Sequence, residues 1–217
     1  MSISQSHEHY IPAAGHHWAL PLYDSMTKFI GVDRARHALL KYAELRGPMR
    51  LLDVGCGTGT LAVQITLAHS DVEVAGVDPD PEALARARRK AATARRSIQF
   101  DRGVANALPY PDGAFDRVVS SFMFHHLQLD EKAGMLREVR RVLAPEGHLL
   151  LVDFAGPDER AGIVTRLMQS HRLLRSNVER QVLALMNEAG LREPTPIAHD
   201  SLVVGQVNYY RALQQAR

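Results

Sequence analysis

The chain has 217 residues, of which 46% are hydrophobic and 23% are charged, and its formal net charge is +2. This length suits one domain with a sizeable core, and so small a net charge gives no reason to expect a nucleic-acid partner. The single cysteine excludes an internal disulfide. No signal peptide and no apolar run long enough to span a bilayer is present, so we expect a cytoplasmic protein.

Residues 1–20 are weakly patterned and residues 21–31 resemble a short helix or turn, and we expect residues 1–31 to form an N-terminal cap segment over a ligand site. They include four histidines without acids or cysteines at ligand spacing, so no metal site is expected. An amphipathic pattern then predicts a helix that is capped by Asp33 and ends near Leu45.

From Arg50 onward, strand and helix patterns alternate along the chain. Asp80 and Pro81 have the residue types of a helix cap and a first turn, and residues 145–147 form the expected turn into the fifth strand. Alternation of this kind predicts an α/β fold, with a parallel sheet covered by helices on both faces. The expected strands are 50–54, 73–77, 98–101, 115–121 and 148–154, and the expected helices are 58–69, 81–95 and 130–143.

After Phe154 the alternation pauses. Residues 155–175 are predicted to be a lid insertion, with a helix over 158–174. Another helix is expected to end near Gly190, followed by strands at about 191–198 and 202–209. The two segments outside the alternating core would close over a bound ligand.

Residues 51–60, with the sequence LLDVGCGTGT, predict a buried strand that enters a glycine-rich turn and a helix. The next strand ends at Asp78, which completes the layout of a nucleotide-binding βαβ unit. Two features favour S-adenosylmethionine (SAM) over NAD. The glycines follow G-x-G-x-G instead of G-x-G-x-x-G, and Asp53 would repel a pyrophosphate but attract the ammonium and sulfonium groups of SAM.

With two further motifs, this loop resembles the class I SAM-dependent methyltransferases. Residues 116–127, DRVVSSFMFHHL, look like the fourth-strand motif of that family, and residues 141–147, RVLAPEG, are similar to its R-V-L-x-P-G-G segment. The similarity runs from about residue 20 to the C-terminus and is closest to the small-molecule branch with the ubiquinone and menaquinone C-methyltransferases. It implies one methyltransferase domain over 1–217, with a Rossmann-like, doubly wound, mostly parallel seven-stranded sheet whose last strand is antiparallel.

The resemblance also implies how SAM and its product S-adenosylhomocysteine are held. Asp53 and the glycine-loop backbone would hold the methionine part, and Asp78 would accept the ribose hydroxyls. Val104 stands where the family commonly has an aspartate for the adenine amino group, so backbone groups or Asn106 would have to replace it. For Tyr23, a position near the bound cofactor and a packing role are equal alternatives. The expected cofactor residues are Tyr23, Asp53, Gly55, Cys56, Gly57, Gly59, Asp78, Pro79, Val104, Ala105, Asn106 and Ser121.

His125 and His126 follow the fourth strand, at the edge where doubly wound sheets bind ligands. Either ring has the right pKa range for a general base, with His126 as the preferred candidate. A structural role is the alternative for both.

Missing motifs narrow the choice of methyl acceptor. No Asn/Asp-Pro-Pro-Tyr/Phe motif follows the fourth strand, and no appended nucleic-acid module is visible. The leading interpretation is therefore methyl transfer to a small molecule, with a homodimer as a possible assembly. The alternative is a SAM-binding regulatory or scaffold protein without methyl transfer. The identity of the acceptor and the atom methylated stay open.

Overall fold

The computed structural model describes residues 31–155, 178–203 and 205–214. Strand and helix alternate through the first of these ranges, as the sequence predicts. The strands are β1 (Met49–Val54), β2 (Val72–Asp78), β3 (Gln99–Arg102), β4 (Phe115–Ser121), β5 (Leu143–Phe154), β6 (Arg192–Leu202) and β7 (Gly205–Leu213). The helices are α1 (Val32–Tyr42), α2 (Thr60–Ala68), α3 (Pro81–Thr93), α4 (Leu129–Val142) and α5 (Glu179–Glu188), with a 3-10 turn at Phe124–His126.

All seven strands form one sheet in the order β3-β2-β1-β4-β5-β7-β6. Strands β1 to β5 pair with one another in parallel, and β7 is antiparallel to both β5 and β6. The predicted sheet of seven strands with an antiparallel last strand is confirmed. Strand order reverses between β1 and β4, and such a switch point is where doubly wound sheets bind ligands.

Helices cover the two faces of the sheet and define two cores. On one face, α1, α2 and α3 pack their apolar residues on Leu51 of β1 and Val152 of β5. On the other face, α4 and α5 pack on Leu52 and Leu151. Adjacent residues of a strand point to opposite faces, so Asp53 belongs to the α1 face and Asp153 to the α4 face.

The starts of α1, α2 and α4 differ from the sequence predictions. Helix α2 begins at Thr60, two residues after its predicted start. Helix α1 begins one residue after Gly31, which takes the N-cap position at φ 88°, so Asp33 lies in the first turn and is not the cap. Helix α4 begins at Leu129, and the backbone N–H of Gln128 donates to Glu131. Asp80 is the cap of α3, as predicted, and accepts from two backbone N–H groups.

The fifth strand begins earlier than predicted. Strand β5 includes residues 145–147, which the sequence indicated as a turn before the strand. The turn persists as an irregularity of the ladder, because the register jumps from Phe115 opposite Leu143 to Arg117 opposite His148. Glu146 has a φ of 61° there, at a place where the related motif has glycine.

Parts of the predictions fall on residues that the structure does not describe. Tyr23, the cap segment up to residue 30 and the lid insertion from residue 156 to 175 lie outside the described residues. Within the described ranges, no helix is long and apolar enough to cross a membrane.

Candidate cofactor and acceptor site

The loop after β1 is shaped by three glycines with positive φ. Their φ values are 73° at Gly55, 51° at Gly57 and 74° at Gly59, in the left-handed region that side chains disfavour. A Cβ at Gly55 would collide with the side chain of Met123, and one at Gly59 would lie 2.7 Å from the Cβ of Ala87 in α3. The glycines therefore allow both the turn and its close packing against neighbouring elements.

Backbone hydrogen bonds fix this loop to the end of β2. The amides of Gly55 and Cys56 donate to the carbonyl of Val77, at 2.9 Å and 3.1 Å. The thiol of Cys56 is buried, and a Cβ on Gly76 would lie 2.9 Å from its Sγ. The loop is thus rigidly placed beside the second strand.

Asp78, the last residue of β2, anchors the same loop. Its Oδ2 accepts from the amide of Gly57 at 2.9 Å, and its Oδ1 accepts from the amide of Asp80 at 3.0 Å. Burial raises the pKa of Asp78, and these two amides oppose that rise. Each carboxylate oxygen has two lone pairs, so capacity for hydroxyl donors remains.

Asp53, the penultimate residue of β1, has no such partners. It is 1% exposed, and neither carboxylate oxygen accepts a hydrogen bond from any described residue. Burial raises its pKa to about 7, the positive charge of Arg36 lowers it, and the negative charge of Asp78 raises it. Buried carboxylates are normally hydrogen-bonded, so this one is suited to a cationic ligand.

Val104, Ala105 and Asn106 form a turn after β3. The carbonyl of Val104 accepts from the amide of Ala107 at 3.1 Å. The amides of the turn are therefore better candidates than this carbonyl for binding the edge of the adenine ring. Asn106 is exposed, and its Cβ lies 2.8 Å from where a Cβ on Gly134 of α4 would stand.

The histidines lie just after β4, and one of them is held by a buried carboxylate. His125 Nδ1 lies 2.6 Å from Asp153 Oδ1, and its backbone N–H donates to Asp153 Oδ2 at 2.8 Å. The amide of Phe154 also donates to Asp153, at 2.7 Å. The rings of His125 and His126 are 4.0 Å apart, centroid to centroid. His125 Nε2 has no partner among the described residues, so it is the nitrogen available to a ligand.

Lys132 lies behind this pair on the buried face of α4. It is fully buried, with its Nζ 5.0 Å from the ring centroid of Phe124. Burial lowers the pKa of Lys132 to about 8, while the negative charge of Asp153 opposes the shift. Asp153 therefore contacts His125 and also interacts electrostatically with Lys132.

The sequence and the fold were compared with known proteins. A model described as a methyltransferase domain matches residues 51–147. The demethylmenaquinone methyltransferase of Thermus thermophilus is 40% identical over 151 residues, which are 68% of this chain and 68% of that protein. The chain belongs to the class I SAM-dependent methyltransferases.

A second relative is similar in sequence, and one solved structure is similar in fold. The demethylmenaquinone methyltransferase of Deinococcus radiodurans is 40% identical over 159 residues, which are 71% of this chain and 65% of that protein. This methyltransferase thus spans about two thirds of the length of both relatives. A SAM-dependent methyltransferase from Aquifex aeolicus has the same fold, with a TM-score of 0.66 at 21% identity over 87% of this chain and 92% of its own.

SAM is the cofactor of this methyltransferase, and its residues fit that ligand. Asp53 offers unused buried carboxylate oxygens to an ammonium group, and Gly57 leaves open space beside the loop backbone. The structure brings Asp53, Gly55, Cys56, Gly57, Gly59, Asp78 and Pro79 together around one loop. Ser121 ends the adjacent strand β4, and His125 and His126 follow just after it.

The sequence predictions missed Asp153 and Lys132. Both carry a signal that could have been used. Asp153 is a lone acid in the apolar run LLLVDF, and Lys132 shares the apolar stripe of Leu136 and Val139 in α4.

Proposed function

We propose that the chain transfers the methyl group of SAM to a flat, apolar ring acceptor of the quinol type, with His125 as the general base. The observation that carries this proposal is the hydrogen bond between His125 and the buried Asp153, beside the cofactor loop. The names of two relatives at 40% identity, both demethylmenaquinone methyltransferases, support the acceptor class.

The pairing sets the chemistry of the imidazole. A carboxylate at Nδ1 favours the tautomer with its proton there, which leaves the lone pair of Nε2 free to take a proton. Asp153 then stabilises the imidazolium that forms, as the acid of a catalytic triad does. A positioned base contributes about 10²- to 10⁴-fold in rate.

Bound SAM supplies an electrophilic methyl group. The chain holds the acceptor in line with it, and such positioning supplies much of the acceleration. When His125 removes the hydroxyl proton of a quinol, electron density rises on the ring and the nucleophile is activated.

The remaining assignments belong to the same proposal. Asp53 takes the methionine part and Asp78 the ribose, while the turn at 104–106, with Tyr23, Pro79 and Ser121, surrounds the adenosine. Segments 1–31 and 155–175 close over the acceptor. A homodimer, a cytoplasmic location and the lack of a nucleic-acid partner stay predictions from the sequence. No observation favours the scaffold alternative.

The test is a transfer assay with methyl-labelled SAM. The acceptors are a short-chain demethylmenaquinol, its oxidised quinone, a catechol and an aliphatic amine, with products identified by mass spectrometry. We expect transfer to the quinol, and a loss in kcat of about 10²- to 10⁴-fold for His125→Gln. His37→Gln, in the exposed part of α1, is the control and keeps full activity.

Two results would contradict the proposal. Transfer to the amine alone, with no dependence on His125, would reject the base and the acceptor class. Tight SAM binding without transfer to any acceptor would favour the scaffold alternative.

A further inference from the structure

The last turn of α4 holds the loop between β3 and β4 through one arginine. Arg141 opens the segment RVLAPEG, and its guanidinium forms an ion pair of two hydrogen bonds with Glu138, each 2.8 Å long. The same guanidinium donates to the carbonyls of Tyr110 at 2.8 Å and Leu108 at 3.1 Å, and to Asp112 Oδ1 at 2.9 Å. These bonds use all five N–H groups of an arginine side chain.

Glu138 holds the same loop through its carboxylate. Its Oε2 accepts from the amide of Leu108 at 2.7 Å. The hydrogen bond from Arg141 lowers the pKa of Glu138, burial opposes this shift, and the Leu108 amide lowers the pKa further. Hydrogen bonds to ionised groups are the stronger ones. Both the amide and the carbonyl of Leu108 are thus bound to charged side chains of α4.

The loop contains the turn over residues 104–106, which the proposed function places against the adenine ring. The amide of Gly103, just before the turn, donates to the carbonyl of Asp78 at 3.3 Å. Leu108, just after the turn, is held by α4. The turn is therefore fixed at both ends, to β2 at its start and to α4 at its end.

The turn also lies directly on α4. A Cβ on Gly134 would stand 2.8 Å from the Cβ of Asn106, so the helix contacts the turn where it has no side chain. Gly134, Glu138 and Arg141 are spaced i, i+4 and i+7, and they therefore lie along one stripe of the helix. This stripe determines where the backbone of the turn lies.

Recognition of the base at this turn depends on its backbone. Val104 stands where the related motif commonly has an aspartate, and its side chain cannot accept a hydrogen bond. The amides of Ala105 and Asn106 donate to no described residue, so they are available to a base. Adenine N1 is an acceptor and fits such an amide, whereas N1 of hypoxanthine carries a hydrogen and would meet it donor to donor. A displaced turn would lose this distinction.

We propose that Glu138 and Arg141 are positioning residues that make the cofactor site selective for adenine over hypoxanthine. This inference rests on the proposed function, because it takes the adenosine to lie against residues 104–106. Both residues act through the backbone of Leu108 and not by touching the cofactor. Hydrogen bonds weaken steeply as their angle departs from linear, so a small rotation of the turn is enough to lower the preference for adenine.

The experiment is titration calorimetry with S-adenosylhomocysteine and S-inosylhomocysteine, which differ in the base alone. We expect the wild type to prefer the adenine ligand by about ten- to a hundredfold, since hypoxanthine leaves a backbone donor unpaired. Arg141→Gln reduces this preference to within about threefold, through weaker binding of S-adenosylhomocysteine. Arg141→Lys keeps part of the preference, because an ammonium still donates to some of the loop acceptors.

The matched control is the neighbouring arginine. Arg140 is exposed, and its guanidinium lies near Gly190, beyond α5, instead of at the turn. Arg140→Gln should leave the preference unchanged. A general loss of folded protein would weaken both ligands alike, so the ratio of the two affinities separates positioning from stability. Hydrogen exchange gives a second measurement, since the amides of residues 105–108 should exchange faster in Arg141→Gln while those of β1 stay protected.

Three outcomes would overturn the inference. A wild type that binds both ligands equally has no base selectivity for the pair to set. A preference that Arg141→Gln leaves unchanged, or equal weakening of both ligands, would show that the pair stabilises the fold alone. If Arg141→Gln does not fold, Glu138→Gln decides by the same ratio. Binding of neither ligand by the wild type would instead contradict the cofactor part of the proposed function, and the transfer assay tests its acceptor independently.

Discussion

Two aspartates of this methyltransferase hold equivalent positions in their strands but differ in their hydrogen bonds. Asp53 is the penultimate residue of β1 and Asp153 the penultimate residue of β5, with only β4 between the two strands. Both are almost fully buried. Asp153 accepts from the amides of His125 and Phe154 and from the ring of His125, whereas Asp53 accepts from no described residue.

The difference teaches how to assign roles to buried acids at a sheet edge. A carboxylate whose bonds are all made within the chain is a positioning group, and its importance passes to the side chain it holds. A carboxylate without partners is costly for the free protein and becomes favourable only with a ligand. Asp78 lies between these extremes, because two loop amides already bind it.

The largest effect is expected at Asp153, whose carboxylate accepts hydrogen bonds within the chain. Asp153→Asn removes the carboxylate that we propose to fix the tautomer of His125, so we expect kcat to fall by about 10²- to 10⁴-fold. The dissociation constant of SAM should change less than about twofold, because Asp153 lies on the α4 face. Steady-state kinetics and calorimetry on one preparation check both values. A kcat within threefold of the wild type would show that Asp153 does not act through His125.

Asp78 should contribute both to the structure of the glycine loop and to SAM binding. Asp78→Ala removes the proposed acceptor of two ribose hydroxyls, and we expect SAM affinity to fall by about tenfold to a thousandfold. The Gly57 amide also loses its partner, so hydrogen exchange in the glycine loop should become faster. Melting curves control for global unfolding. If the variant binds SAM like the wild type, the ribose assignment is wrong.

Asp53, the carboxylate without partners, should favour SAM binding but destabilise the cofactor-free protein. Asp53→Asn is expected to weaken SAM binding by about ten- to a hundredfold and to stabilise the cofactor-free protein at pH 8. The reason is that Asp53 ionises at its ordinary pKa of 3.8 when unfolded but at about 7 when folded. Folded-state stability therefore falls as the pH rises from about 4 to 7 and stays low above that range.

The gain for Asp53→Asn at pH 8 should be on the order of 1–4 kcal/mol and should vanish near pH 4. Denaturant unfolding of the cofactor-free protein at both pH values measures it. Equal destabilisation at both values would mean that Asp53 is ionised and stabilised by contacts within the chain.

The smallest effect is the pH dependence of cofactor binding. An ammonium ligand favours the ionised form of Asp53, so binding releases a proton wherever the free protein holds Asp53 protonated. SAM affinity should therefore decrease by up to about tenfold from pH 8 to pH 6, since the pKa of Asp53 is about 7. Asp53→Asn should remove most of this dependence, and calorimetry in buffers of different ionisation enthalpy counts the protons. A slope shared by both proteins would assign the titration to another group.

Local patterns predicted most of the sheet and the residues that meet at the candidate cofactor loop. Glycine spacing, an acid before the loop and an acid after the next strand are features of one continuous βαβ segment, so they are visible in the sequence. The turn at 145–147 shows the limit of local patterns. The ladder of β5 extends through it, because pairing with β4 resumes on both sides.

The sequence pointed to His125, but its pairing with Asp153 could not be predicted because it depends on contacts between distant segments. Asp153 meets His125 only because β4 and β5 pair in a register that puts Ser121 beside Val152. A polar residue in an apolar run was the available signal.

The buried thiol of Cys56 gives this chain a built-in reporter. Burial raises the pKa of this thiol well above its ordinary value, and the negative charges of Asp53 and Asp78 raise it further. The thiolate is the reactive form of cysteine, so labelling reagents can modify the native protein only when the glycine loop opens. Because the chain has one cysteine, the rate of its modification measures that opening directly. A ligand that closes the loop should lower this rate.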